Sequence, residues 1–183
     1  WGRSVAETYD DASVLHIADR PSVALAIAEA LSSGNRRTRG HGLLKVHDCF
    51  GHFPPAGNKS CSFAITSVCG HLQSLELVAP IGEPRERDLR ELFGAKMRRV
   101  AEPASERVGV REHLARESHG RGWVCFWTSC DLEGESIIFE VLRCLPRFTP
   151  DRVWRARFSS IAPAALQRSL RRLVKPDPTG AAA

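Results

Sequence analysis

Signals for membranes and secretion are missing from this sequence of 183 residues. No apolar run approaches the roughly 18 residues of a membrane span, and no signal-peptide pattern opens the chain, so we expect a soluble protein. The six cysteines include no Cys-x-x-Cys pair, and several lie in apolar runs where reduced cysteine packs as a small hydrophobic residue. This usage argues against a disulfide framework and predicts a reducing, intracellular compartment.

The composition is that of one folded domain with a basic surface. A hydrophobic content of 43% is enough for a core, and the length suits a single domain rather than a disordered tail. The net charge of +5 comes mostly from arginine, whose planar group binds two phosphate oxygens at once. The chain begins at Trp1 without methionine and stops at PTGAAA, so we expect a piece of a longer polypeptide.

Strand and helix patterns alternate along the chain. A buried strand is predicted over 13–18, followed by a helix that begins at Pro21 and ends by Gly34, and residues 43–68 form two strands that suit a hairpin. Further helices are predicted over 89–93, 105–118, 136–145 and 164–174, and further strands over 123–128 and 153–159. Central strands that are apolar on both faces and alternate with helices predict an α/β fold with a mostly parallel sheet.

An acidic stretch, WTSCDLEGE, follows one of these apolar strands. In an extended segment Ser129, Asp131 and Glu133 share a face, and Mg²⁺ is bound in proteins by one or two carboxylates with waters and phosphates. Asp19 follows the first predicted strand and adds a third carboxylate if the two strands are neighbours. The stretch therefore predicts a Mg²⁺ site. Alternatively, Glu133 and Glu135 only favour a helix N-terminus through its dipole.

Four stretches of the sequence occur together in an order and spacing typical of one family. They are VLHIADRPSVALAIAEALSSG, AITSVCGHLQSLEL, GWVCFWTSCDLEGESIIFEVL and VWRARFSSIAPAALQRSLRRLVKPD. The set resembles the N-terminal Toprim domain of type IA DNA topoisomerases, in the topoisomerase III branch, and TSVCGH and RARFSSI are most similar to the beta form. The resemblance implies a nuclear protein with a leader over 1–12, a Toprim domain over 13–177 and, over 178–183, the start of another domain.

The resemblance also implies a function and a site. Its fold is a four-stranded parallel sheet between helices, and its reaction is strand passage through a transient break in single-stranded DNA with Mg²⁺. The family glutamate and lysine of the first block match Asp19 and Arg20, and these with Glu133 are the implied catalytic residues. The implied metal ligands are Asp19, Asp131 and Glu133. The attacking tyrosine lies in a later domain, because Tyr9, the only tyrosine, precedes the first strand.

Several residues depart from the family pattern. Asp19 is one methylene shorter than glutamate, and a displacement of about 1 Å at a reacting centre costs about 100-fold in rate. Arg20 can brace a phosphate, but its pKa above about 12 removes the general-acid role of the lysine. Ser129 replaces an aspartate by a poorer Mg²⁺ ligand, and Leu132 stands where the family has a basic residue.

These departures leave two main functions open. The first is the Toprim part of a topoisomerase that cleaves and religates single-stranded DNA and relaxes negative supercoils, with RNA as a further substrate given the beta-like blocks. The second is a catalytically degenerate module that acts in nucleic-acid binding or as a scaffold. A third, a primase or nuclease of the same fold, agrees less well with the TSVCGH and RARFSSI blocks.

Candidate nucleic-acid contacts follow from the same blocks. His71 lies in a block near the family's active centre, where it would bond a DNA phosphate or a neighbouring acid; alternatively it caps a turn after Gly70. Arg155 and Arg157 alternate on a predicted strand and would contact phosphates or the acidic cluster. Basic clusters that would guide a single strand to the site lie at 36–39, 85–90, 96–99 and 168–175. Three tryptophans are assigned to core packing, at positions 123, 127 and 154.

Overall fold

The computed structural model describes residues 10–57, 59–77 and 97–179. Its strands are β1 (Asp10–Ala18), β2 (Arg37–Arg39), β3 (Val46–His52), β4 (Ser60–Ser67), β5 (Gln73–Leu77), β6 (Met97–Ala101), β7 (Arg121–Trp127) and β8 (Val153–Arg155). A six-stranded sheet has the order β2-β3-β4-β1-β7-β8, and β5 and β6 form a separate antiparallel pair. The predicted α/β class is confirmed.

The parallel part of the large sheet contains the four strands that the family resemblance implies. β4, β1, β7 and β8 run parallel, with β1 between β4 and β7. β3 and β4 form the antiparallel hairpin expected over 43–68, and β2 extends the same edge. The carboxyl ends of β1 and β7 therefore lie side by side.

Helices cover both faces of this sheet. They are α1 (Pro21–Leu31), α2 (Pro103–Val108), α3 (Val110–Ser118), α4 (Leu132–Cys144) and α5 (Pro163–Leu170). Because side chains alternate along a strand, Val14 of β1 packs with α1 and α5, whereas Leu15 and Ile17 pack with α3 and α4. Trp127 is fully buried, and Trp123 and Trp154 pack against the same core, so the packing role predicted for the tryptophans is confirmed. Among the described residues no helix has the length and apolarity to cross a membrane.

Several element boundaries differ from the predictions. β1 begins at Asp10, so residues 10–12 belong to the sheet rather than to a leader. The helix predicted over 105–118 is divided at Gly109, whose φ of 70° is left-handed. α4 begins four residues before the predicted 136 because Asp131 caps its N-terminus. The helix predicted over 89–93 lies outside the described residues.

Candidate active-site cleft

A cleft of about 440 Å³ lies at the carboxyl ends of β1 and β7. Ala18 pairs with Trp127 in the parallel register, and the Asp19 amide donates to the Trp127 carbonyl at 3.2 Å. The residues that follow each strand are therefore brought together. The cleft is lined by Asp19, Arg20, Ser129, Asp131 and Glu133, among others.

Asp19 is held by its own neighbour in the chain. Arg20 Nε donates to Asp19 Oδ1 at 3.2 Å and Arg20 Nη2 donates to Oδ2 at 3.1 Å. The carboxylate of Asp19 is 6% exposed, whereas the Arg20 side chain is 62% exposed. These hydrogen bonds raise the pKa of Arg20, and the charges of Glu133 and Asp131 raise that pKa further. Arg20 is thus a permanent cation inside an otherwise acidic cleft.

Asp131 is the N-cap of α4. Its Oδ1 accepts from the Gly134 amide at 2.8 Å and from the Ser129 hydroxyl at 2.8 Å, and these two bonds lower the pKa of Asp131. Ser129 therefore positions the neighbouring carboxylate. Glu133 lies in the first turn of α4, so the extended geometry assumed from the sequence does not reach it. The alternative that Glu133 and Glu135 occupy a helix N-terminus agrees with the structure.

His71 contacts a neighbouring acid, which is one of the two contacts expected for it from the sequence. Its Nδ1 lies 2.9 Å from Glu140 Oε1, and its Nε2 lies 3.8 Å from Glu133 Oε1. The other Glu140 oxygen accepts from the Leu72 amide at 2.8 Å. The sequence prediction missed Glu140 because it began this helix at residue 136. With a start at residue 132, the seven-residue spacing would have placed Glu133 and Glu140 on one helix face.

Of the two contacts expected for Arg155, the structure shows the one with the acidic stretch and not an exposed position for nucleic acid. Its side chain is 1% exposed, forms an ion pair with Glu135 and donates to the Ser129 carbonyl at 2.5 Å. Arg155 therefore supports the acidic turn from inside the protein. β8 ends at Arg155, so Arg157 lies beyond the strand, and its side chain is exposed.

The cleft retains a small set of oxygen atoms suited to a Mg²⁺ ion. No group of three His, Cys, Asp or Glu side chains with metal-binding geometry occurs among residues 10–57, 59–77 and 97–179. Both Asp19 oxygens are bonded to Arg20, but Asp131 Oδ2 has no hydrogen-bond partner in the described chain and Glu133 is 67% exposed. Two carboxylates with waters meet the minimum that Mg²⁺ requires. Asp131 and Glu133 are therefore the residues that could hold the ion, whereas the third expected ligand, Asp19, is engaged by Arg20.

Comparison with curated proteins gives one consistent set of relatives. DNA topoisomerase 3-beta of Oryza sativa subsp. japonica is 34% identical over 168 residues, which cover 90% of this chain and 19% of the relative. DNA topoisomerase 3-beta-1 of Mus musculus is 35% identical over 173 residues, 90% of this chain and 20% of the relative. DNA topoisomerase 3-alpha of Drosophila melanogaster is 31% identical, over 89% of this chain and 13% of the relative.

These relatives confirm the resemblance to the topoisomerase III branch, including the beta form. The chain spans at most about a fifth of their length. Topoisomerase I from Thermotoga maritima aligns with 91% of this chain and 22% of its own, at a TM-score of 0.49 and 16% identity. No protein-family model matches the sequence.

Proposed function

Because this chain is homologous to a segment of the DNA topoisomerase 3 proteins, we propose that it is the Toprim domain of a topoisomerase III-like enzyme. The enzyme cleaves and religates single-stranded DNA and relaxes negative supercoils, and the domains beyond this segment supply the tyrosine nucleophile. The observation that carries the proposal is the common cleft of Asp19, Asp131 and Glu133 beside two parallel strand ends. RNA as a further substrate and a nuclear location belong to the same proposal.

Each cleft residue has a defined part in this function. Asp131 and Glu133 would hold Mg²⁺, which when bound stabilises negative charge on the phosphate oxygens. Arg20 is exposed at the cleft and binds a phosphate oxygen without giving up its proton, because its pKa is raised. His71 and Arg157 contact the strand, whereas Arg155 and Glu135 keep the turn after β7 in place.

A second function, a degenerate module that binds nucleic acid without metal, is favoured by two contacts. Arg20 already neutralises Asp19, and the Ser129 hydroxyl occupies one oxygen of Asp131. The Arg20 contact reduces the negative charge of the cleft, and both contacts reduce the number of free oxygens that a divalent cation needs. The two functions therefore differ in whether the wild-type cleft binds a divalent ion.

Titration with Mn²⁺, followed by electron paramagnetic resonance, separates the two functions. If the enzymatic function is right, the wild-type chain binds one ion, and Asp131→Asn weakens that binding about 10-fold or more because a charged ligand is lost. Asparagine still caps α4, so the loss is not caused by unfolding. Glu112→Gln removes an exposed acid of α3 outside the cleft and serves as the matched control.

Ser129→Asp provides the opposite perturbation. It restores a third carboxylate beside Asp131, so Mn²⁺ affinity increases under either function. Binding by Ser129→Asp together with no binding by the wild type would establish the degenerate module and overturn the enzymatic proposal. Binding by neither protein would show that this cleft is not a metal site at all.

A further inference from the structure

A second pocket, of about 380 Å³, adjoins the acidic cleft. Pro21 and Leu43 line both cavities and so separate them. The second pocket has the opposite charge, because Arg36 and Lys45 line it and none of its lining residues is an aspartate or glutamate. Two neighbouring cavities of opposite charge therefore lie along the carboxyl edge of the sheet.

Two almost completely buried polar side chains line this basic pocket without full hydrogen bonding. Ser67, at the end of β4, is 1% exposed, and its hydroxyl has no hydrogen-bond partner among the described residues. His47 of β3 is 4% exposed; its Nδ1 lies 2.8 Å from Thr38 Oγ1, whereas its Nε2 is likewise without a partner in the described chain. Water can reach both atoms from the pocket, so they are available to donate hydrogen bonds to a ligand bound there.

The charges around the pocket select an anion as that ligand. Lys45 is exposed and forms no ion pair within the described residues, while Arg36 contacts only the exposed Glu29, at 3.1 Å. α1 begins at the pocket with Pro21, without a side-chain cap and without an acidic residue in its first turn, so its N-terminal dipole favours an anion there. Burial, and then the charges of Arg36 and Lys45, lower the pKa of His47, and a bound anion would oppose this shift.

We propose that this pocket binds a backbone phosphate of the single strand that enters the acidic cleft. The inference rests on the proposed function, because it assigns a second phosphate subsite to the same strand. In the tautomer in which the Thr38 hydroxyl donates to His47 Nδ1, the Nε2 proton and the Ser67 hydroxyl are left to donate to phosphate oxygens. Lys45 and Arg36 supply the charge.

Fluorescence anisotropy with a short labelled single-stranded DNA tests the subsite, and the matching RNA is used in parallel. Lys45→Gln is expected to reduce the slope of log affinity against log salt by about 0.7, the value for one phosphate contact on a single strand. Ser67→Ala is expected to weaken binding about fivefold through a lost hydrogen bond while leaving the slope unchanged. Lys59→Gln, at the opposite end of β4, should match the wild type.

The outcomes distinguish this subsite from the proposed function. If DNA binds but Lys45→Gln and Ser67→Ala retain the wild-type affinity and slope, the subsite is wrong and the proposed function stands. If the wild type binds neither the DNA nor the RNA, the proposed function is overturned. Titration with inorganic phosphate then shows whether the pocket binds an anion. A shift of the His47 ring resonances that Ser67→Ala abolishes supports an anion site, and an unchanged His47 spectrum overturns it.

Discussion

Because His16 is buried, the folded state of this protein loses stability as the pH falls. Its ring is completely buried in β1, between Phe63 at a centroid distance of 4.5 Å and Phe53 at 5.9 Å. Nδ1 accepts from Trp127 Nε1 at 3.0 Å, so the neutral ring carries its proton on Nε2, where no partner is found among the described residues. Burial, and then the charge of Arg121, lower the pKa of His16 to about 3.

The size of the effect follows from proton linkage. The unfolded chain protonates this histidine near pH 6.5, whereas the folded protein does so only near pH 3, so stability is lost as the pH falls through this window. Each pH unit inside the window costs about 1.4 kcal/mol. Lowering the pH from about 7 to about 5 therefore removes about 2 kcal/mol through His16 alone.

Urea unfolding at both pH values measures this loss. The pKa values of His47 and His113 are also lowered by burial, so the wild type loses more than the His16 share. His16→Gln keeps an acceptor for Trp127 but does not titrate, and its pH-dependent loss should be about 2 kcal/mol smaller than that of the wild type. His52→Gln changes an exposed histidine and serves as the control. Equal losses in His16→Gln and the wild type would refute the reasoning.

Three further predictions concern the turn between β7 and α4. Asp131→Ala removes the helix cap and should lower the Tm in a circular dichroism melt by about 3 °C, whereas Asp131→Asn should not; equal melting of both variants would exclude a capping role. Gly134→Ala would place a methyl group on the Ser129 carbonyl, so it should destabilise the fold by about 3 kcal/mol in urea, opposite in sign to the gain of about 1 kcal/mol in an unobstructed helix. Glu135→Gln leaves the buried Arg155 charge without its carboxylate and should cost about 3 to 5 kcal/mol in urea; a loss below about 1 kcal/mol would contradict the buried ion pair.

Local signals in the sequence were sufficient for the central elements of the fold. β1 and β7 are mostly apolar over their second halves, and α1 lies between Pro21 and a left-handed Gly34, so each was predicted from neighbouring residues alone. β2 and β6 were not predicted because they are short and rich in arginine. They become strands through antiparallel pairing, β2 with the neighbouring β3 and β6 with the more distant β5.

The sequence predicted which acidic residues line the cleft but not the hydrogen bonds and ion pairs that they form. Strand order alone brings Asp19 beside Asp131, and parallel pairing of two apolar strands was foreseeable. The burial of Arg155 depends on Glu135, a residue 20 positions earlier whose direction is set by where α4 begins. The basic pocket requires the β3–β4 hairpin to pack beside the start of α1, and no local pattern specifies that contact.

Helix α4 presents three carboxylates to three different parts of the molecule. Glu133 faces the cleft, Glu135 binds Arg155 of β8, and Glu140 binds His71 in the segment after β4. Since one rigid rod carries all of them, an axial rotation cannot alter one attachment and spare the others. A ligand that draws Glu133 into the cleft would therefore also shift the contacts of Glu135 and Glu140, so α4 couples the cleft to both flanks of the sheet.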